Sequence, residues 1–206
     1  MRLLKRFLSR ESVFLEIGCG DCAVSLEASK QVKQVFAVDV SKEIVSGIVK
    51  PRNFEFVLSD GRSVPITHNS AHVAYSNQLM EHLHPDDALV QLSDIYNALL
   101  PGGVYICLTP NRLTGPHDIS KYFDTVATGF HLKEYTVSEL SKMFRAVGFS
   151  RVKILVGGMG RFMRLSPFWM YPLEKVLETL PYSLRMHVVS NVFGNALLGI
   201  RLVGTK

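Results

Sequence analysis

Five short runs rich in valine, phenylalanine and tyrosine recur along the first half of the chain: VFLEI (13–17), VFAVDV (35–40), NFEFVLSD (53–60), AHVAYSN (71–77) and GVYICLTP (103–110). Each is too short for a helix and rich in β-branched and aromatic residues, so each reads as a strand. The segments between them predict helices over AVSLEASKQ (23–31), SKEIVSGIV (41–49) and residues 86–99. Ser41 opens the second with Glu43 in its first turn. Leu89, Leu92, Ile95, Tyr96 and Leu99 give the third its helical spacing, and Pro101-Gly102-Gly103 stops it. Strand and helix in alternation, with short turns, require a mostly parallel sheet covered on both faces. Such sheets bind ligands at the carboxyl ends of their strands, near the point where strand order reverses. Gly18 and Gly20 follow the first strand, Asp39 ends the second, Asp60 the third, and Asn77 and Gln78 the fourth.

The second half changes character. Residues 111–135 are polar and aromatic with no steady period, and a loop of that length in a compact domain is usually functional. TVSELSKMFRAVGF (136–149) predicts a capped helix, with Thr136 and Glu139 forming a capping box and Gly148 the stop. SRVKILVGG (150–158) reads as a strand, 161–181 as aromatic and mostly helical, and ALLGIRLVGTK (196–206) as a last strand. With no repeat, linker or composition break, residues 1–206 are expected to form a single domain.

The chain has 206 residues, 47% of them apolar, which suits one globular core. No stretch is long and apolar enough to span a membrane. The opening MRLLKRFLSRE is too short in its apolar run for a secretory signal and is expected to pack on the first strand as a short helix or arm. Cys19, Cys22 and Cys107 fit a reducing, cytoplasmic setting. Cys19 and Cys22 form a C-x-x-C, but no second ligand pair or thioredoxin context accompanies it. The net charge is +5, and from Arg151 onward eight Lys/Arg face two acids, a balance compatible with an anionic partner, a membrane surface or a solvated face.

The stretch VFLEIGCGDCA (13–23) narrows the chemistry. A glycine turn between strand and helix lets a ligand approach the backbone closely. The dinucleotide pattern G-x-G-x-x-G lacks its third glycine here, and the carboxylate of Glu16 would repel a pyrophosphate. No Gly-Lys-Ser/Thr of a P-loop is present. A cationic ligand suits a buried acid instead. An apolar strand, an acid and a G-x-G turn resemble the first motif of the class I S-adenosylmethionine-dependent methyltransferases. Cys22 stands where a third small residue is common.

The resemblance continues in order through residue 111: the acid Asp39 in VFAVDVS, Asp60 with Gly61 in VLSDGRSVP, the fourth-strand segment HVAYSNQLMEHL, and LLPGGVYICLTPN. It implies a Rossmann-like three-layer sandwich with a mostly parallel seven-stranded sheet. An antiparallel edge hairpin is drawn from 151–156 and 196–203, and residues 157–195 form an insertion or lid over the acceptor. It implies S-adenosyl-L-methionine as cofactor, held by Glu16, Gly18, Gly20, Asp39, Val40, Asp60, Gly61, Asn77 and Gln78. Asp39 would take the ribose hydroxyls, because a carboxylate can accept two donors at once. Asp60 would take the adenine amino group, and Glu16 the methionine end.

The acceptor is expected to be a small molecule methylated at oxygen. YSNQLM lacks the Asn/Asp-Pro-Pro-aromatic tetrad of amino-group methylation, and no nucleic-acid-binding module is evident. Oxygen methylation calls for a base, and His82, His117 and His131 are the candidates. The spacing of His68, His72, His82 and His84 matches no metal motif, so no metal is expected. The cluster Phe162, Met163, Phe168, Trp169, Met170 and Tyr171, beside Arg161 and Arg164, suits core packing or a hydrophobic, lipid-linked or glycan acceptor. A binding protein that keeps the fold without catalysis, and a nicotinamide dehydrogenase, are the rival classes.

Overall fold

The computed structural model describes residues 1–158, 161–190 and 192–206. Its centre is one eight-stranded sheet: β1 (Val13–Ile17), β2 (Gln34–Asp39), β3 (Phe54–Leu58), β4 (Ala71–Asn77), β5 (Leu99–Thr109), β6 (Arg151–Gly158), β7 (Arg161–Leu165) and β8 (Ile200–Thr205), in the order β3-β2-β1-β4-β5-β8-β6-β7. The first five strands are parallel; β8 runs antiparallel to β5 and to β6, and β7 antiparallel to β6. Strand order reverses between β1 and β4, so the carboxyl end of β1 is the expected ligand crevice.

Among the described residues six α-helices flank the sheet: α1 (Ala23–Ser29), α2 (Pro85–Ala98), α3 (Val137–Val147), α4 (Met170–Thr179), α5 (Tyr182–Val189) and α6 (Val192–Leu198). Neighbouring strand residues feed opposite cores, as the pleat requires. Leu15, Ile17 and Val38 join Leu92, Ile95, Leu140, Phe144 and Leu177 on one face. Phe14, Val35 and Ala37 join Leu4, Ala28 and Val45 on the other. The basic N-terminal segment thus packs on the sheet through Leu4, which is fully buried in a single 3-10 turn.

Four expectations shift. Residues 41–49 form one 3-10 turn, Glu43–Val45, rather than a helix. The Ser41 hydroxyl is spent on the Glu43 side chain instead of a backbone amide, and Gly47 and the valines weaken propagation. β3 ends at Leu58, short of Asp60, whose carboxylate has already begun a turn with Arg62 and Ser63. Residues 161–165 are strand, not helix, and make the sheet eight-stranded; α4 and its 3-10 entrance begin only after Ser166 accepts the Phe168 amide. The last strand starts at Ile200, because Ala196–Leu198 close α6.

Candidate active site at the carboxyl ends of β1, β2 and β4

β1 ends in a turn that needs glycine. Gly18 sits at φ +68, and a Cβ there would lie 3.0 Å from Leu79 Cδ1. Its amide and that of Cys19 both donate to the Val38 carbonyl, at 2.9 and 3.2 Å, tying the turn to β2. Gly20 donates its amide to Asp39 Oδ2 (2.9 Å), and the Val40 amide donates to Asp39 Oδ1 (2.7 Å). Each Asp39 oxygen therefore has one amide and one lone pair left for a ligand hydroxyl. The Cys19 and Cys22 thiols are buried 3.3 Å apart, and burial pushes both pKa values up, so they are not nucleophiles.

Glu16 lies behind this turn, 4% exposed, and accepts the Ser25 hydroxyl. Burial pushes its pKa up to about 7; hydrogen bonds from Ser25 oppose that, and the nearby charges of Asp21 and Asp39 reinforce it.

In front of the turn is a cavity of about 430 Å³ walled by Ile17, Gly18, Asp39, Val40, Gly61, Leu79, His82 and Leu132, among others. Its volume suits a small cofactor. Gln91, from the inner face of α2, lies in the same wall. Its Nε2 donates to the Gly61 carbonyl at 3.2 Å, while its buried Oε1 has no partner. An orphaned acceptor beside a glycine backbone is what a ligand amino group would satisfy. Apolar walls, a ribose-ready carboxylate and this acceptor together fit an adenosyl cofactor.

The structure sorts the candidate residues into groups. Gly18, Asp39, Val40, Gly61 and His82 line the cavity; Glu16 and Gly20 stand just behind it. Asp60 is exposed outside the wall, where Oδ1 accepts the Arg62 and Ser63 amides and the Ser63 hydroxyl. Those bonds, led by the Ser63 amide, lower its pKa to about 2 and hold the turn that presents Gly61. Asn77 and Gln78 face a neighbouring hollow of about 260 Å³, shared with Asn111, His117 and Arg201. Among the described residues, none of 157–195 lines the cofactor-sized cavity. Tyr182 and Arg185 of α5 instead close a third hollow, of about 430 Å³, with Arg112, Val126, Leu132 and Glu134.

Long-range folding of the 111–135 loop brings the histidines together. The His82 ring packs edge-on against His131, with centroids 4.9 Å apart. His82 Nδ1 lies 3.1 Å from the Phe130 carbonyl, and His131 Nδ1 lies 2.7 Å from Glu134 Oε1. Glu134 Oε2 meets His117 Nδ1 at 3.2 Å, so one carboxylate spans two imidazoles. Burial works against its ionisation, but hydrogen bonds from His117 and His131 outweigh that and hold its pKa below the usual range. Asp118 shapes the loop by accepting amides of Ser120, Gly129 and His131; these overcome its burial and keep its pKa low. Glu81, fully buried next to His82, accepts the Thr109 hydroxyl on Oε2 at 2.8 Å and has no partner on Oε1.

Glu81, Gln91 and Glu134 were not legible as site residues by type and spacing. Gln91 offered a signal, as a polar residue within the apolar stripe of Ala88, Leu92 and Ile95. Glu134 follows His131 by three residues, but in a loop that spacing fixes no face.

A sequence model of a methyltransferase domain family matches residues 15–107. A Mycolicibacterium smegmatis protein named "Probable S-adenosylmethionine-dependent methyltransferase" is 29% identical over 150 residues, covering 72% of this chain and 55% of that protein. The chain spans about half the length of the curated relatives it matches. Among solved structures, an S-adenosylmethionine-dependent methyltransferase from Mesorhizobium loti superposes with a TM-score of 0.65 at 14% identity, over 99% of this chain and 96% of that one. A methyltransferase in complex with the Trm112 activator of Haloferax volcanii superposes with a TM-score of 0.67 at 17% identity, over 98% and 86%. Those two likenesses concern the fold. With the motif order, the strand order and the cavity, the match over residues 15–107 makes this chain similar to the class I S-adenosylmethionine-dependent methyltransferases.

Proposed function

We propose that this protein methylates a hydroxyl oxygen of a small-molecule acceptor that carries an anionic group. When bound, S-adenosylmethionine supplies a methyl group on a sulfonium, and transfer to oxygen needs the acceptor's proton removed. The observation that carries the reading is the placement of His82. Its ring stands in the wall of the cofactor cavity with Nδ1 on a carbonyl. A carbonyl only accepts, so in the neutral ring Nδ1 holds the proton and Nε2 keeps a lone pair for an acceptor hydroxyl.

The acceptor's room is the hollow that shares Leu132 with the cofactor cavity. Arg185 lines it with a buried Nε that has no partner, a donor for a carboxylate or similar group. In this reading Tyr182 and Arg185 are the covering elements expected of the 157–195 insertion. The domain acts as one unit, because α4–α6 contribute Met170, Leu177, Val189 and Leu198 to the same core as α2 and α3. No helix among the described residues is long and apolar enough to cross a membrane.

The test is transfer of labelled methyl from S-adenosylmethionine to a panel of phenolic and aliphatic hydroxy acids, with matched amines and neutral alcohols. The expected product is a methyl ether from a hydroxy acid, reduced in Arg185→Ala mainly through KM. Label appearing only on nitrogen, or only in macromolecules, would overturn the reading.

A further inference from the structure

We propose that Glu81, His82 and His131 form a binding site for one divalent transition-metal ion, of the zinc class, between the cofactor cavity and the acceptor hollow. On each of the three residues a ligating atom lies within 4.8 Å of the others, and no other such group occurs among the described residues.

The donor set is ready for a cation at every position. His82 and His131 each have Nδ1 engaged, by the Phe130 carbonyl and by Glu134, which leaves Nε2 on both rings for a metal. Ligating histidines characteristically hold a carboxylate or carbonyl on the other nitrogen, which fixes the tautomer and the ring. Both forms of that support are present here. The third donor is independent of the histidines: Glu81 Oε1 is buried without a partner, while Thr109 holds Oε2 and so orients the carboxylate. A buried carboxylate oxygen with no partner, on a side chain whose ligating oxygen lies within 4.8 Å of two imidazole nitrogens, is a costly arrangement unless something cationic fills it.

Two imidazoles and one carboxylate select zinc, cobalt, nickel or iron(II) over magnesium, which prefers oxygen ligands. Donor atoms around a tetrahedral zinc lie roughly 3.3 Å apart for bonds of about 2.0–2.1 Å. The exposed His82 ring is the member free to close that gap. The spacing of the sequence did not reveal the site, because His82 meets a histidine carried by the 111–135 loop rather than its neighbours His72 and His84. His72 Nδ1 accepts the Val13 amide, and His84 caps α2.

Three protein ligands leave coordination positions open, as in catalytic rather than structural sites. This part of the inference rests on the oxygen-methylation reading. An acceptor hydroxyl on the cation would lose its proton to solvent more readily, the task otherwise falling to the His82 lone pair.

The experiment is titration of chelator-stripped, dialysed protein with Zn²⁺, Co²⁺ and Mg²⁺ by calorimetry, with Co²⁺ binding also followed by its visible absorption. The expected result is one equivalent of Zn²⁺ or Co²⁺ bound, a Co²⁺ spectrum of low coordination number, and no comparable Mg²⁺ binding. His82→Ala, at an exposed position where folding is not at stake, should weaken Zn²⁺ binding by at least about tenfold, as should Glu81→Gln. S-adenosylhomocysteine binding, measured on the same metal-free samples, separates the two readings: its loss in the wild type challenges the methyltransferase reading alone. No stoichiometric Zn²⁺ or Co²⁺ binding, equal Mg²⁺ binding, or affinity unchanged in both variants would overturn the metal site.

Discussion

Glu16 should make cofactor binding depend on pH in a way no exposed carboxylate would. Burial lifts its pKa to about 7, from the 4.5 ordinary for this side chain, so the ligand-free protein holds a proton there at mildly acidic pH. The sign follows from linkage. The folded pKa is the higher one, so the stabilisation is full below about 4.5 and is lost as pH rises to about 7. At about 1.4 kcal/mol for each pH unit between those values, the apo protein loses about 3 kcal/mol across that window. A cationic ligand end reverses the preference by stabilising the carboxylate. Binding below pH 7 must therefore expel a proton, and affinity should fall by up to about tenfold per pH unit there. Calorimetry of S-adenosylmethionine at about pH 6, 7 and 8, in buffers of different ionisation enthalpy, reads both the affinity and the proton released. Glu16→Gln should abolish the slope and bind more weakly at the highest pH, which separates Glu16 from the site histidines. An affinity that is flat across this range in the wild type, or a slope that survives in Glu16→Gln, would refute the reasoning.

Three further outcomes are expected. Gly18→Ala places a Cβ at φ +68 against Leu79 and should cost about 1–2 kcal/mol from the backbone alone, lowering Tm by a few degrees and weakening S-adenosylhomocysteine binding; unchanged Tm and affinity would count against the turn geometry. Gln91→Leu removes the orphaned Oε1 and should weaken S-adenosylhomocysteine roughly three- to tenfold, the worth of one net hydrogen bond; an unaltered Kd would remove Gln91 from the site. Phe144 stacks on Tyr105 at 5.3 Å and packs tilted against Phe149 at 4.9 Å, so Phe144→Ala should cost about 3–5 kcal/mol, read as a large fall in Tm with cofactor affinity retained at low temperature; a small fall would show that the cluster can collapse.

The legible part of the fold was the part set by local chemistry. The period-two, β-branched runs and the Thr136–Glu139 capping box each act within a few residues, and β1, β2, β4 and α3 stand where they predict; Pro101-Gly102-Gly103, expected to separate helix from strand, lies instead within β5, which starts directly after α2. The glycine turn and Asp39 were legible for the same reason, since both follow strands directly. What remained hidden depends on partners distant in the chain. Residues 161–165 become a strand because β6 is beside them, although RFMRL carries no β-branched residue to announce one. The meeting of His82 with His131 is set by Asp118 and Glu134, which fold a loop with no period of its own. Asp60 illustrates the converse: its place after a strand was legible, while its carboxylate is taken up by the Arg62 and Ser63 amides in fixing a turn.

Cofactor recognition is expected to rest on Asp39 and the cavity beside the glycine turn. The most direct measurement is calorimetric titration of S-adenosylhomocysteine, with NAD as the rival ligand, into wild type and Asp39→Ala, with Tm confirming that both are folded. The prediction is one equivalent of S-adenosylhomocysteine bound by the wild type and no NAD. Two charge-assisted hydrogen bonds, at about 1.5 kcal/mol or more each, imply at least about a hundredfold loss in Asp39→Ala. Equal affinity in wild type and variant, or binding of NAD in place of S-adenosylhomocysteine, would contradict it.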